Sequence, residues 1–192
     1  MRIPLCPRPL FLPGRRRYSP PPPAPVSGPT PAPSRLFLPQ PIFILVGTMT
    51  GTAEIVAEDV RDMFKENGRE AELLLMDDLD PSVFQRQGVF LVCTSTYGQG
   101  DVPDNAMKLY NALEKDRPSL AGVRYGVIAL GDRAYNETYT YGGQRFDKVM
   151  GELGAARIGQ VCQHDASGTD VPEEVGVAWA KTWLAELDAA GV

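Results

Sequence analysis

The residues from Gly47 to Glu54, Gly-Thr-Met-Thr-Gly-Thr-Ala-Glu, have the chemistry to hold an anion. Thr48, Thr50 and Thr52 supply three hydroxyl donors. Gly51 permits a tight turn and a close approach of backbone to ligand. An apolar run, Ile42-Phe43-Ile44-Leu45-Val46, precedes this loop, and a segment of helical period follows it. The first free amides of that helix point at the loop, and the helix dipole favours negative charge there. The loop contains no Lys or Arg, whereas the usual nucleoside-triphosphate loop places a lysine after its glycines. The pattern therefore points to a single terminal phosphate held by neutral donors. A hydroxyl-rich helix cap is the alternative reading of the same threonines.

Two further loops carry aromatic rings. Thr94-Ser95-Thr96-Tyr97-Gly98-Gln99-Gly100-Asp101-Val102-Pro103-Asp104-Asn105 follows one apolar run, and Ala129-Leu130-Gly131-Asp132-Arg133-Ala134-Tyr135-Asn136 follows another. Two rings on neighbouring loops, Tyr97 and Tyr135, can sandwich a flat ring, each face adding about 0.5–1.5 kcal/mol beyond burial. Gly98 and Gly100 leave backbone N–H and C=O groups open to a polar ring edge. Singly, each tyrosine reads as a surface residue in a loop. With the anion loop, they describe a flat heterocycle bearing a monophosphate.

The elements that must position these loops alternate. The pattern predicts strands over 42–46, 70–75, 88–94, 125–130 and 157–162. It predicts helices over 53–67, 103–115, 141–153 and 172–187. Val56, Val60, Met63 and Phe64 share a face of the first helix, and Val175, Trp179, Trp183 and Leu187 repeat at i, i+4 in the last. Continuous apolar strands between amphipathic helices imply an α/β fold, a doubly wound five-stranded parallel sheet with helices on both faces. Such sheets bind ligands at the carboxyl ends of their strands, at the switch point. All three loops lie at such ends.

Together the three loops resemble the FMN-binding loops of flavodoxins, in the order in which that family carries them. The resemblance covers residues 42–192. It is strongest toward short-chain, MioC-like flavodoxins and extends to the FMN domains of diflavin reductases. It implies noncovalent FMN used for electron transfer. Thr48, Met49, Thr50, Gly51 and Thr52 match the phosphate loop. Tyr97 and Tyr135 match the stacking aromatics, with Thr96 in the same loop as Tyr97. Gly98 and Gly100 match the loop beside the reactive edge of the flavin. Leu130, Gly131 and Asp132 match the segment along the pyrimidine end, although the reductases commonly carry asparagine where Asp132 stands. Asp165 matches the loop after the fifth strand. The segment 136–144 is slightly longer than the reductase pattern.

The resemblance further implies an electron carrier rather than a turnover enzyme. No second domain for FAD or NADPH follows, so electrons are expected from a separate NAD(P)H-dependent flavodoxin reductase. They are expected to pass to an acceptor protein, from a cytoplasmic monomer. The alternative is an FMN-dependent NAD(P)H quinone or azo reductase on the same fold. That enzyme needs its own nicotinamide site, and the sequence offers no second Gly-rich phosphate loop. A third reading is a regulatory or biosynthetic helper that holds FMN.

Composition bounds the partners. Residues 1–41 hold 14 of the 18 prolines, six of the 19 basic residues and none of the 24 acidic ones. They are expected to form a disordered tail ahead of one domain, 42–192, of formal charge −11. That acidity argues against nucleic acid and suits docking to a basic protein face. Cys6, Cys93 and Cys162 form no metal or disulfide pattern, and Cys93 is expected in the core. His164, the one histidine, is expected in an exposed loop. No apolar run approaches the ~20 residues needed to span a membrane.

Overall fold

The computed structural model describes residues 39–192, so the expected tail lies outside the described residues up to position 38, as does Cys6. The chain runs β1 (Ile42–Gly47), α1 (Thr52–Glu66), β2 (Ala71–Leu75), β3 (Val89–Thr94), α2 (Asp104–Asp116), β4 (Arg124–Gly131), α3 (Tyr141–Glu152), β5 (Ala156–Arg157), β6 (Cys162–Asp165) and α4 (Pro172–Ala189). Short 3₁₀ turns at Met76–Asp78, Pro81–Gln85 and Arg133–Thr138 have no counterpart in the sequence prediction.

The strand order is β2-β1-β3-β4, with β5 and β6 both paired to β4 as successive pieces of one edge strand. Every pairing between these strands is parallel. The chain steps from β1 out to β2, then crosses to β3 on the other side of β1. That reversal parts the loops leaving β1 and β3 and opens a crevice at their carboxyl ends.

β1 and β3 are apolar on both faces because both faces are covered. Ile42, Ile44, Val46, Leu91 and Cys93 pack with Val56, Val60 and Phe64 of α1 and Trp183 and Leu187 of α4. Phe43, Leu45, Phe90 and Val92 pack on the other side with Leu109 and Leu113 of α2 and Phe146 and Met150 of α3.

The edge strand differs from the expectation of one run over 157–162. Tyr125 pairs Arg157, but Ile128 pairs Cys162, so two residues of β4 oppose four of the edge. The cause is α4. The Trp183 ring lies so close to Gly126 that a Cβ there would fall 2.6 Å from it. The carbonyls of Ile158 and Gln160, in the break between β5 and β6, accept the indole N–H groups of Trp183 at 3.0 Å and Trp179 at 2.9 Å. The two rings stack on each other at 5.6 Å. Indole donors thus replace the ladder bonds lost in the break.

Candidate functional site

The loop after β1 turns back on itself before α1. Gly51 adopts φ 88°, a left-handed conformation that a side chain disfavours, and its amide donates to Thr48 Oγ1 at 2.9 Å. No side chain caps α1. The Thr50 and Thr52 hydroxyls meet each other at 3.4 Å. The amides of Met49, Thr50, Thr52 and Ala53 have no acceptor among the described residues. Three threonines at a helix start, none capping it, are the opposite of the capping alternative. These free donors lie at the start of a 15-residue helix, the positive end of its dipole.

The loop after β3 is a tight turn closed by a two-residue bridge. Tyr97 donates to the Asp101 carbonyl at 3.0 Å and accepts from the Asp101 amide at 2.8 Å. Gly98 and Gly100 form the turn at positive φ, and Tyr97 stands 50% exposed beside it. The loop after β4 rises into the turn Arg133–Thr138, where Tyr135 is 66% exposed. A cleft of about 700 Å³ lies between these loops, lined by Thr50, Thr52, Thr96, Tyr97, Gly98 and Tyr135 together with Leu130, Gly131 and Asp132. Nine of the residues singled out in the sequence therefore meet at one place.

The other five surround it. Thr48, Met49 and Gly51 shape the anion loop without lining the cleft. Gly100 is buried against Thr138 and Tyr141, where a Cβ would approach within 3.1 Å. Asp165 ties loops together. Its Oδ1 accepts the Arg133 amide at 2.9 Å and the Ser167 amide and hydroxyl at 3.0 and 2.7 Å, and its other oxygen lies 3.5 Å from Arg133 Nε. The Arg133 amide, then the Ser167 hydroxyl, hold its carboxyl below the usual carboxylate range. Two lining residues are also structural. Thr96 Oγ1 donates to the Leu130 carbonyl at 3.0 Å and accepts the Gly142 amide at 3.2 Å. Asp132 accepts the Ala134 amide at 2.7 Å.

Sequence reasoning missed Ser95, Thr138, His164, Ala166, Asp170 and Pro172, which complete the lining. His164 is not an exposed loop residue. It is buried on β6, its Nε2 is 2.9 Å from the Asp170 carbonyl, and it faces the cleft. The strand continues to Asp165, in the alternation Cys-Gln-His-Asp of buried and less buried positions. The residue types Cys-Gln-His-Asp contain no apolar run that announces the strand, so the sequence carried no signal for it.

Cys93 and Cys162 are buried thiols, Cys93 donating to the Ala53 carbonyl. Burial pushes Cys162 up to about 12 and raises Cys93 as well. Neither offers the thiolate that thiol chemistry needs at neutral pH.

A family model, Flavodoxin, matches residues 44–179. The chain belongs to the flavodoxin family. It is similar to Flavodoxin YqcA of Pectobacterium carotovorum, 38% identical over 77% of this chain and 97% of that protein. It is similar to Protein MioC of Escherichia coli K12, 36% identical over 74% and 95% of the two chains. A solved flavodoxin from Pseudomonas aeruginosa, a cysteine-to-alanine point mutant, superposes at TM-score 0.69 with 37% identity, over 77% of this chain and 98% of that one. The sulfite reductase flavoprotein alpha-component of Bacillus subtilis is 32% identical over 88% of this chain, and the match occupies 27% of that longer protein. The flavodoxin family implies FMN as cofactor and electron transfer as activity, and the site fits that group. Unsatisfied amides suit its phosphate and two exposed tyrosines suit its ring. Among the described residues no helix is long and apolar enough to cross a membrane.

Proposed function

We propose that this flavodoxin is an electron carrier that meets two proteins in turn, an NAD(P)H-dependent flavodoxin reductase and a redox acceptor. The observation that carries the reading is the convergence of an uncapped helix start and two exposed tyrosines on one cleft. In this reading Thr48 to Thr52 hold the phosphate, and Tyr97 and Tyr135 cover the faces of the ring. Gly98 lies beside its reactive edge, and Leu130 to Asp132 lie along its pyrimidine end. Thr96, Gly100 and Asp165 fix the loops that carry these groups. FMN, when bound, supplies acceptance and release of electrons singly or in pairs. The side chains hold it, keep water from its faces and leave one edge open. A cytoplasmic setting remains part of the proposal.

The YqcA and MioC matches cover nearly all of those proteins, which supports residues 42–192 as sufficient for the task. A chain starting near Pro41 is expected to bind FMN as the full chain does.

The test is the flavin released from purified protein, followed by reduction assays. FMN is expected, with no reduction by NADPH alone and rapid reduction once a flavodoxin reductase is added. Released FAD defeats the cofactor assignment. Steady NADPH-driven quinone reduction by this chain alone defeats the carrier reading in favour of the quinone reductase.

A further inference from the structure

One side chain outside the cleft lining grips the anion loop. Asn105, in the first turn of α2, accepts the Thr48 amide at 2.9 Å through Oδ1. Its Nδ2 donates to the Val46 carbonyl at 3.3 Å and approaches Asp77 Oδ2 at 3.4 Å. A single side-chain amide therefore joins the end of β1, the anion loop and the turn after β2. The amide of its neighbour Asp104 donates to Met49 Sδ at 3.4 Å, so α2 holds two successive loop residues. On the far side of the loop, Thr48 Oγ1 takes the Gly51 amide. With Thr48 and Gly51 so occupied, the amides left over are those of Met49, Thr50, Thr52 and Ala53.

We infer that Asn105 is a positioning residue that sets the selectivity of this site for the phosphate of its ligand. It does so by fixing the loop that presents the free amides and by holding the Asp77 carboxylate in a hydrogen bond. The inference rests on the reading that the phosphate of FMN lies at residues 48–52. The chemistry requires an amide. The Thr48 N–H needs an acceptor, while the Val46 carbonyl and Asp77 need a donor, and Asn supplies both from one short side chain. Aspartate keeps the acceptor and loses the donor. It also sets a second carboxylate against Asp77, close to an incoming anion.

The test titrates full-length apo-protein with FMN and with riboflavin, which lacks the phosphate, by flavin fluorescence quenching. Asn105→Ala is expected to lose about tenfold or more in FMN affinity and to keep riboflavin affinity within about twofold. Asn105→Asp is expected to lose more at about pH 8. Relative to wild type at each pH it regains FMN affinity toward about pH 5, as protonation removes the charge and restores a donor. Parallel loss of both flavins, unchanged FMN affinity in the alanine variant, or an aspartate variant with no pH-dependent recovery overturns the inference. Failure of the alanine variant to fold leaves the decision to the aspartate variant, and failure of both overturns it, since Asn105 is then a residue of the fold. A wild-type protein that binds riboflavin as tightly as FMN removes the phosphate reading itself, a separate outcome.

Discussion

Thr50 and Thr52 carry hydroxyls that cap no helix and bond only each other. A double change to alanine therefore removes little from the empty protein and much from the flavin complex. Each lost hydrogen bond to a charged group costs about 1.5–3 kcal/mol. The double variant is expected to bind FMN at least about a hundredfold more weakly by titration calorimetry. Its flavin-free melting temperature should match that of wild type. Asp165 gives the opposite case, a residue expected beside the flavin that bonds other protein loops. Its folded carboxyl titrates below the ordinary value of about 4. The stability it contributes is present above that value and disappears as pH falls through the folded one. Urea unfolding from about pH 5 to 3 should show Asp165→Asn losing less stability than wild type. The effect is small, because its ion-pair partner Arg133 is 66% exposed and solvent screens the pair. The cleft residues on glycine- and hydroxyl-rich loops were legible, since those types have few other uses behind a strand. His164 was not. It stands on a strand of mixed polarity, where no apolar run marks the element.

At the scale of elements, the apolar strands and amphipathic helices were legible because each buries a periodic face. The break between β5 and β6 was not, because its cause lies in α4, distant in sequence. Trp183 and Gly126 form one contact, and the carbonyl of Ile158 depends on the Trp183 indole. Trp183→Phe keeps an aromatic ring but orphans that carbonyl, at a cost of about 1–3 kcal/mol. Gly126→Ala forces the ring aside, at about 1–3 kcal/mol. In urea unfolding the double variant should lose less than the sum of the two, since both act on the same contact. Additive losses would mean that the ring and the glycine are energetically independent. The 3₁₀ turn at Arg133–Thr138 also escaped the sequence. Asp132 caps its first part, and it kinks at Tyr135 and Asn136, where Asn136 has φ 21°.

At the scale of the whole molecule, the acids on the loops around the cleft are not equivalent. Asp132 and Asp165 hold loops, and Asp101 lies 3.3 Å from Arg145. Asp104 and Glu137 are exposed and carry no ion pair among the described residues. These two, like Asp170 on the cleft lining, are free to steer a partner. Asp104→Asn with Glu137→Gln should slow reduction by a flavodoxin reductase in stopped flow at low salt. The deficit should shrink as the Debye length falls from ~30 Å at 0.01 M to ~10 Å at 0.1 M. A wild-type rate at low salt would assign both acids to solubility alone. The net acidity of residues 42–192 was legible in the sequence, but not which acids the loops consume. The amino ends of the strands face the other way, and Pro41, just ahead of β1, accepts the Val89 amide there. A linker attached at Pro39 leaves the domain opposite the tyrosines, with roughly 20 Å of sheet between. Anchored to an electrode by that end, the domain would stand with its flavin turned from the metal and toward solution. Direct current would be weak, and a diffusing protein mediator would carry most of it.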